Sequence, residues 1–330
     1  MTAAPSRAWA LTPGSAGHEV QCVGVIEAVG LAAGIRRVAP RRPWSWLAPW
    51  GPAAADATIA PPWPDLVVAS GRQAIPYARA IRRHSRGASL VVVLQNPVVP
   101  PSWFDLVWVN EHDGVAGPNV VATLTAPHTL TAARLAAGAA ALAERVGALP
   151  RPWIGVSLGG ASGAYAFGAE EAAGLGRVLA RLAAATGGSI VASPSRRTGA
   201  PALAALGAAL AAVPAWLWDG TSGDNPYFGI LGAADALVVT CDSVNMLGEA
   251  AFTGKPVFGW RLPGGTDKFR RFHAGLEASG ALRWLDEAAL AAQLSARSLA
   301  TWDYRPQNAT AVIAERIRAA FVARGIPLPA

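Results

Sequence analysis

Ser243 and Glu249 stand six residues apart in the stretch "TCDSVNMLGEAAFTGKPV" (240–257). The serine falls where a β-rich run gives way to an apolar, helix-like one. A hydroxyl there caps a helix, and a phosphate can dock on the free amides of the first turn. The carboxylate follows nearly two helical turns later, roughly on the same face. It could accept two hydroxyls from a ribose, or be an ordinary helix-surface charge. On the residues alone both readings stand.

Four further groups follow β-rich runs, where open α/β sheets bind ligands. "TPGSAGHEVQ" (12–21) is a Gly-rich loop entering a helix, with His18 at the helix start. His18 suits a general base or substrate contact, or else a helix-capping role. "SLGGASGAY" (157–165) puts Gly159 and Gly160 after a strand, as a phosphate-facing loop or a plain tight turn. "SPSRRTG" (193–199) offers Ser193, Arg196 and Arg197, and Arg matches phosphate bidentately; a solvated turn is the alternative. "GGTDKFRRFH" (264–273) gathers Lys268, Arg270, Arg271 and His273 after a glycine pair, suited to a diphosphate or to a solvated helix face. "NEHDG" (110–114) adds Glu111, His112 and Asp113 as an acid/base group.

Other chemistries lack their residues. The first glycine loop has neither the G-x-G-x-x-G spacing nor a Walker pattern. No D-x-D motif, paired His ligands or G-x-S-x-G elbow occurs, so no metal is expected and a serine-hydrolase mechanism is not supported. Cys22 and Cys241 are too few for a zinc site and read as small buried hydrophobes.

The elements that must position these groups alternate. Short β-rich runs and helical patterns follow one another through the chain, which predicts parallel sheets covered by helices on both faces. Strands are expected at 8–12, 65–70, 89–95, 104–110 and 119–124, with a helix over 131–147 closing the first half. "ALPRPW" (148–153) reads as a linker. The second half repeats the rhythm from "WIGVSLGG" to "KFRRFHAGLEASG", and "RPQNATAVIAERIRAAFVARG" forms a last helix. The expected domains are 1–148 and 149–300, with 301–330 returning to the first. The segment "PRRPWSWLAPWGPAAADATIAPPWPD" (40–65) breaks the rhythm and is too Pro-rich for a helix. Its four Trp either pack on the domain body or form an interfacial lip against a membrane or an amphipathic acceptor.

At 330 residues, 52% of them hydrophobic and 15% charged, the chain suits two folded domains rather than a disordered one. The richest apolar stretch, "LTAARLAAGAAALAERVGAL", is broken by Arg134, Glu144 and Arg145, so no spanning helix is expected. The N-terminus has no secretory h-region, and the expected location is cytoplasmic. The net charge of +7 is spread over both halves without a long basic run, so nucleic acid is not an expected partner. Phosphorylated ligands or an anionic membrane surface fit the excess as well.

Taken together and in order, "LTPGSAGHEVQ", "PDLVVASGRQAIPYARAIRR", "QNPVVPPSWFDLVWVNEHDGVAGPNVVAT", "SRRT", "LWDGTSGDNPYFGIL", "VTCDSVNMLGEAAFTGKPV" and "GGTDKFRRFH" resemble the mitochondrial-fission ELM-type family. That family in turn is similar to GT-B glycosyltransferases. The resemblance implies an α/β, GT-B-like fold, with two Rossmann-like domains whose parallel sheets face across a cleft. It implies a nucleotide-sugar donor as substrate, no cofactor, and a cytoplasmic protein peripheral to a membrane. The loop Gly14-x-x-Gly17-His18 matches the acceptor-side loop of that fold, placing His18 near the reacting centre. Ser243, Glu249, Gly254 and Pro256 match the nucleotide-side segment. Ser243 and the following amides, Met246 among them, would meet the diphosphate, and Glu249 the ribose. The implied function is a metal-independent nucleotide-sugar glycosyltransferase. An epimerase of the same fold and a non-catalytic scaffold for membrane fission or division are the alternatives.

Overall fold

The structure is a computed structural model that describes residues 7–328. Two compact units divide the chain: one holds residues up to Thr129 and from Asn308 onward, the other Leu130–Gln307. The first contains β1 (Ala8–Thr12), α1 (Ala16–Val29), β2 (Ala33–Arg37), α2 (Trp44–Leu47), β3 (Leu66–Ser70), α3 (Ile75–His84), β4 (Leu90–Leu94), β5 (Leu106–Asn110) and β6 (Val120–Thr123). The second contains α4 (Ala132–Val146), β7 (Trp153–Leu158), α5 (Ala169–Thr186), β8 (Ser189–Pro194), α6 (Ala200–Leu210), β9 (Ala215–Leu217), α7 (Tyr227–Ala233), β10 (Ala236–Thr240), α8 (Val244–Phe252), β11 (Val257–Trp260), α9 (Asp267–Ala278), β12 (Arg283–Trp284) and α10 (Glu287–Ala296). The closing helix, α11 (Ala309–Ala323), belongs to the first unit.

Each unit is built on a six-stranded, wholly parallel sheet. The first runs β2-β1-β3-β4-β5-β6 and the second β12-β11-β10-β7-β8-β9. The period-two alternation of strand side chains divides the first unit's core between two faces. Ala8, Ala10, Leu66, Val68 and Val92 face α1 and α11, packing with Ile26, Ile313, Ile317 and Phe321. Trp9, Leu11, Val67, Ala69 and Val93 face the side of α3, with Tyr77 and Ile81. Burial on both faces explains why these strands read as continuous apolar runs rather than alternating ones. Strand order reverses between β1 and β3 in one sheet and between β7 and β10 in the other, and such switch points open crevices at the strands' carboxyl ends.

Several expectations are corrected. The helix over 131–147, read as closing the first half, packs on α7 inside the second unit. A Cβ on Gly138 would lie 2.8 Å from the Gly229 nitrogen, and one on Gly232 would lie 2.3 Å from the Leu135 carbonyl oxygen. Glycines on both helices therefore let their backbones touch. "ALPRPW" consequently lies within the second unit and does not join the two. Strands β2 and β12 and helix α10 fall where none was expected, because their short or Ala-rich sequences carry little periodicity. The Pro-rich segment holds one short helix, α2. Of its tryptophans, Trp63 meets Trp9 edge-on at 6.1 Å against the core, whereas Trp44, Trp46 and Trp50 are exposed.

The α4–α7 contact is testable. A Cβ on Gly229 would sit 2.5 Å from the Gly138 carbonyl oxygen. Gly229→Val should therefore cost about 1–3 kcal/mol through overpacking, read as a lower urea midpoint. An unchanged midpoint would mean that the two helices do not meet there.

Candidate functional site

The second unit's switch point gathers three strand ends. β7 runs into Gly159 and Gly160, β8 into Ser195–Thr198, and β10 into Asp242 and Ser243. Asp242 is the centre of the cluster, its side chain fully buried. Its Oδ2 accepts from the Gly160 amide at 3.0 Å and from Arg197 Nη2 at 2.7 Å. Arg197 Nη1 also donates to the Gly160 carbonyl at 2.9 Å. The Gly159 amide donates to Thr240 Oγ1 at 2.7 Å, and its carbonyl accepts from Ser195 Oγ at 3.0 Å and from Thr198 Oγ1. A Cβ on Gly159 would fall 2.1 Å from both Asp242 carboxylate oxygens, and one on Gly160 would fall 2.1 Å from the Arg197 carbonyl oxygen. The glycine pair is thus dictated by the packing of Asp242 and Arg197 behind it.

α8 begins beside this cluster. Ser243 caps it, its Oγ accepting from the Met246 amide at 3.3 Å. The amides that precede Met246 have no intrahelical acceptor, so this helix end can receive an anion. Glu249 is partly buried, and its Oε2 accepts from the Tyr227 hydroxyl at 2.6 Å. Burial pushes its carboxyl up to about 7, against the opposing effect of the Tyr227 hydrogen bond. Six residues at about 100° each leave Ser243 and Glu249 roughly 120° apart around α8, so the expectation of one shared face is corrected. They share one short helix, Ser243 as its cap and Glu249 in its second turn. In the Gly-Lys-Pro turn that follows, Lys255 Nζ donates to the Gly232 and Ala234 carbonyls at the end of α7, and is thereby spent on structure.

The loop after β7 is tied to the loop after β11. The Gly265 amide donates to the Ala164 carbonyl at 2.6 Å, the Ala166 amide to Pro263 at 3.0 Å, and Tyr165 meets Phe269 edge-on at 4.9 Å. This pairing carries the start of α9, where Lys268, Arg270 and Arg271 are exposed. Arg270 pairs with Asp267. His273 does not join these cations. It is buried, its Nε2 donates to the Cys241 carbonyl at 2.9 Å, and burial lowers its pKa.

In the first unit the switch point lies at the ends of β1 and β3. Gly71 adopts φ +96°, and a Cβ there would meet Pro13 Cδ at 2.7 Å and His18 Nδ1 at 2.9 Å. Ser15 caps α1, accepting from the His18 amide. Burial lowers the His18 pKa, with the Gln95 side chain opposing that shift. Gln95 itself holds φ +74°, a left-handed conformation that costs a non-glycine residue and is found at functional sites. Its Nε2 donates to Gln21 Oε1 at 3.0 Å. Farther along the edge, His112 Nε2 lies 3.9 Å from Asp113 Oδ1, both side chains largely buried at 4% and 11% exposure, while Glu111 is exposed.

The sequence-predicted residues therefore separate into groups. Gly159, Gly160, Ser243, Met246 and Glu249 gather on the β7–β10–α8 side of the second unit, and Lys268 and Arg271 stand at the exposed start of α9. Ser193 is corrected: it is buried within β8, its hydroxyl directed to the Pro194 carbonyl. Arg197 is shared with the fold: its guanidinium donates to Asp242 and Gly160 while its side chain stays 41% exposed. Arg196 is exposed. The sequence reading missed Asp242 and Tyr227. An acid beside an expected phosphate site reads as unfavourable, and only tertiary pairing with Arg197 removes that objection. Tyr227 lies on another helix, 22 residues from Glu249. Among the described residues, no three or more His, Cys, Asp or Glu side chains gather as a metal site would require.

The Glu249 environment fixes a pH dependence. A carboxyl raised above its unfolded value takes up a proton on folding between about pH 4.5 and 7, and its charged form destabilises the fold above that window. Glu249→Gln should raise Tm relative to the parent above pH 7, and the gain should vanish as pH falls toward 4.5. A Tm difference that does not change with pH would contradict the buried carboxyl. Gly159→Ala, which drives a methyl into the Asp242 carboxylate, should lower Tm at every pH.

Comparison with known proteins agrees with this architecture. The UDP-GlcNAc 2-epimerase from Methanocaldococcus jannaschii superposes with a TM-score of 0.60 at 10% identity, covering 96% of this chain and 99% of that one. The Neisseria meningitidis UDP-GlcNAc 2-epimerase bound to UDP-GlcNAc gives 0.56 at 12% identity, over 96% and 100%. MurG from Acinetobacter baumannii gives 0.50 at 14% identity, over 96% and 100%. The fold is thus α/β and GT-B-like, with two Rossmann-like units. In sequence, the chain is 31% identical over 286 residues to the mitochondrial fission protein ELM1 of Arabidopsis thaliana, a match that spans 79% of this chain and 65% of that relative's length. The family model described as "Mitochondrial fission ELM1" matches residues 16–321. The chain belongs to the mitochondrial fission ELM1 family.

Proposed function

We propose that the second unit binds a nucleotide sugar at the carboxyl edge of its sheet, and that the chain transfers the sugar to an acceptor hydroxyl without a metal ion. The observation that carries this reading is Glu249. It is a partly buried carboxyl with one oxygen taken by Tyr227, on a helix whose capped N-terminus stands at the switch point. Its second oxygen is suited to a ribose hydroxyl. Ser243, the amides leading to Met246, and the Gly159–Gly160 loop would frame the diphosphate. The similar structures include one holding UDP-GlcNAc, which makes UDP-sugars the first donors to test.

In the transfer step the acceptor hydroxyl loses its proton to a base, and its oxygen forms a bond to the anomeric carbon. The bond from that carbon to the donor phosphate breaks, and the diphosphate leaves with the electron pair. Charge growing on the leaving group is met by the α8 amides, with Lys268 and Arg271 adding positive potential. His18 is the proposed base. Burial holds its pKa low, so it is neutral at pH 7 and able to accept a proton. His112 and Asp113 are the second candidate.

An epimerase reading draws support from the same pair of groups, because epimerisation needs two acid/base residues about one sugar carbon. Two measurements decide. A nucleotide held at 100 times its Kd stabilises the fold by about 2.7 kcal/mol, so UDP-, GDP- and CDP-sugars are screened by Tm. Glu249→Ala should abolish the shift while the fold persists. Release of free nucleoside diphosphate with an acceptor identifies transfer, whereas interconversion of the sugar alone identifies epimerisation. No shift with any nucleotide would overturn both and leave a non-catalytic scaffold.

A further inference from the structure

α2 and its flanks present an unusual surface. Trp46 is 63% exposed, Trp50 58%, Leu47 47% and Trp44 39%, all within seven residues. Such clustering is rare on a monomer's surface and marks an interaction site. The segment is not a loose loop. Ala48 and Pro49 are buried, and two arginines hold the chain from behind. Arg72 Nη2 donates to the Trp46 carbonyl at 3.2 Å, and Arg79 Nη1 to the carbonyls of Pro49 and Trp50 at 3.3 and 2.9 Å. Arg79 is itself stacked over Trp103 at 4.1 Å. The bulky side chains are therefore displayed outward on a braced backbone.

Arginine predominates around them, although Glu19 pairs with Arg37 at 2.6 Å, which leaves Arg41 and Arg42 as the exposed cations beside the patch. Residues 28–55 contain no Asp or Glu but carry Arg36, Arg37, Arg41 and Arg42. The Arg42 guanidinium lies 4.5 Å from the Trp46 ring centroid, beside the exposed apolar face. Trp50 also forms the edge of an open groove of about 1450 Å³, lined by Trp63, Trp103, Arg79, Arg83, Arg86 and the acidic Asp56. The buried Asp105 in that groove is already matched by Arg82 at 3.0 Å and Arg324 at 2.7 Å.

We propose that this surface docks the chain on an anionic phospholipid bilayer, with Trp46, Leu47 and Trp50 entering the interface and the arginines meeting headgroup phosphates. Tryptophan is favoured at headgroup level, where one part of the ring is apolar and the N–H is wet. Each arginine near an anionic surface adds to the attraction, and salt screens it. A second copy of this chain is a poor occupant, because a two-fold contact would set the Arg41–Arg42 face against itself. No helix among the described residues is long and apolar enough to cross a membrane, so the contact is peripheral. The proposal stands independently of nucleotide binding.

The test is co-sedimentation of the full chain with phosphatidylcholine vesicles, with and without phosphatidylglycerol, across a salt series. The parent should bind only the anionic vesicles, and binding should fall as salt rises. Trp46→Ser with Leu47→Ser should weaken the partition coefficient at least tenfold with Tm unchanged, since both side chains are exposed. Arg41→Gln with Arg42→Gln should weaken binding and flatten its salt dependence. Polyglutamate serves as a charged partner without an apolar phase, and its binding should be indifferent to the Trp46 and Leu47 changes. The proposal is overturned by equal binding to uncharged vesicles, by no binding at low salt, or by undiminished vesicle binding of the Trp46/Leu47 variant. Loss of polyglutamate binding in that same variant would point instead to an acidic protein partner, and would also overturn it.

Discussion

The Asp242 carboxylate joins three strand ends that would otherwise diverge. A fully buried charge is tolerated only when it is paired and hydrogen-bonded. Here the Gly160 amide and the Arg197 guanidinium both meet its Oδ2. The consequences spread outward. Glycine is required at 159 and 160 because the carboxylate and the Arg197 backbone occupy the space of a side chain. The β7 loop is thereby fixed against the start of α8, and its far end pairs with the loop that opens α9. Arg197, whose type suggests phosphate binding, also serves as a brace. Arg196 and the cations at the start of α9 are exposed.

Both units use the same construction at their switch points. In the first, Gly71 rather than an acid lets the ends of β1 and β3 close on Pro13 and His18. Each sheet thus sets a glycine-dependent close approach where its strand order reverses, with His18 beside it in the first unit and Asp242 in the second. The α/β layering accounts for this concentration. The central strands are sealed on both faces, so their polar neighbours gather where the strands end. The partial burial that follows also sets the titration behaviour. Glu249 is raised while His18 and His273 are lowered, in each case because burial disfavours the charged form.

Much of this was legible from residue types. Valine-rich runs such as 90–94 announced buried parallel strands, and Ser243 before an apolar stretch announced a capped helix. The strands that carry little pattern were not legible: β12 is two residues long, and β2 mixes Arg with Gly. The helix at 132–146 was visible but its allegiance was not. Periodicity marks an apolar face without naming what covers it, and the close approaches of Gly138 to Gly229 and of Leu135 to Gly232 assign that face to α7.

The sequence by itself determined the alternation of elements, the two parallel sheets, and the positions of the residues able to meet a phosphate or a sugar, because these follow from local periodicity and from what may follow a strand. The tertiary structure decided which of those residues are at liberty to act. Ser193 was withdrawn by burial within its strand, Arg197 was tied to Asp242, and Glu249 was given Tyr227 from a separate helix. Trp63 was drawn into the core while Trp46 was left outside. Such assignments depend on distances between residues remote in the chain, and the local physics that shapes helices and strands carries no record of those distances.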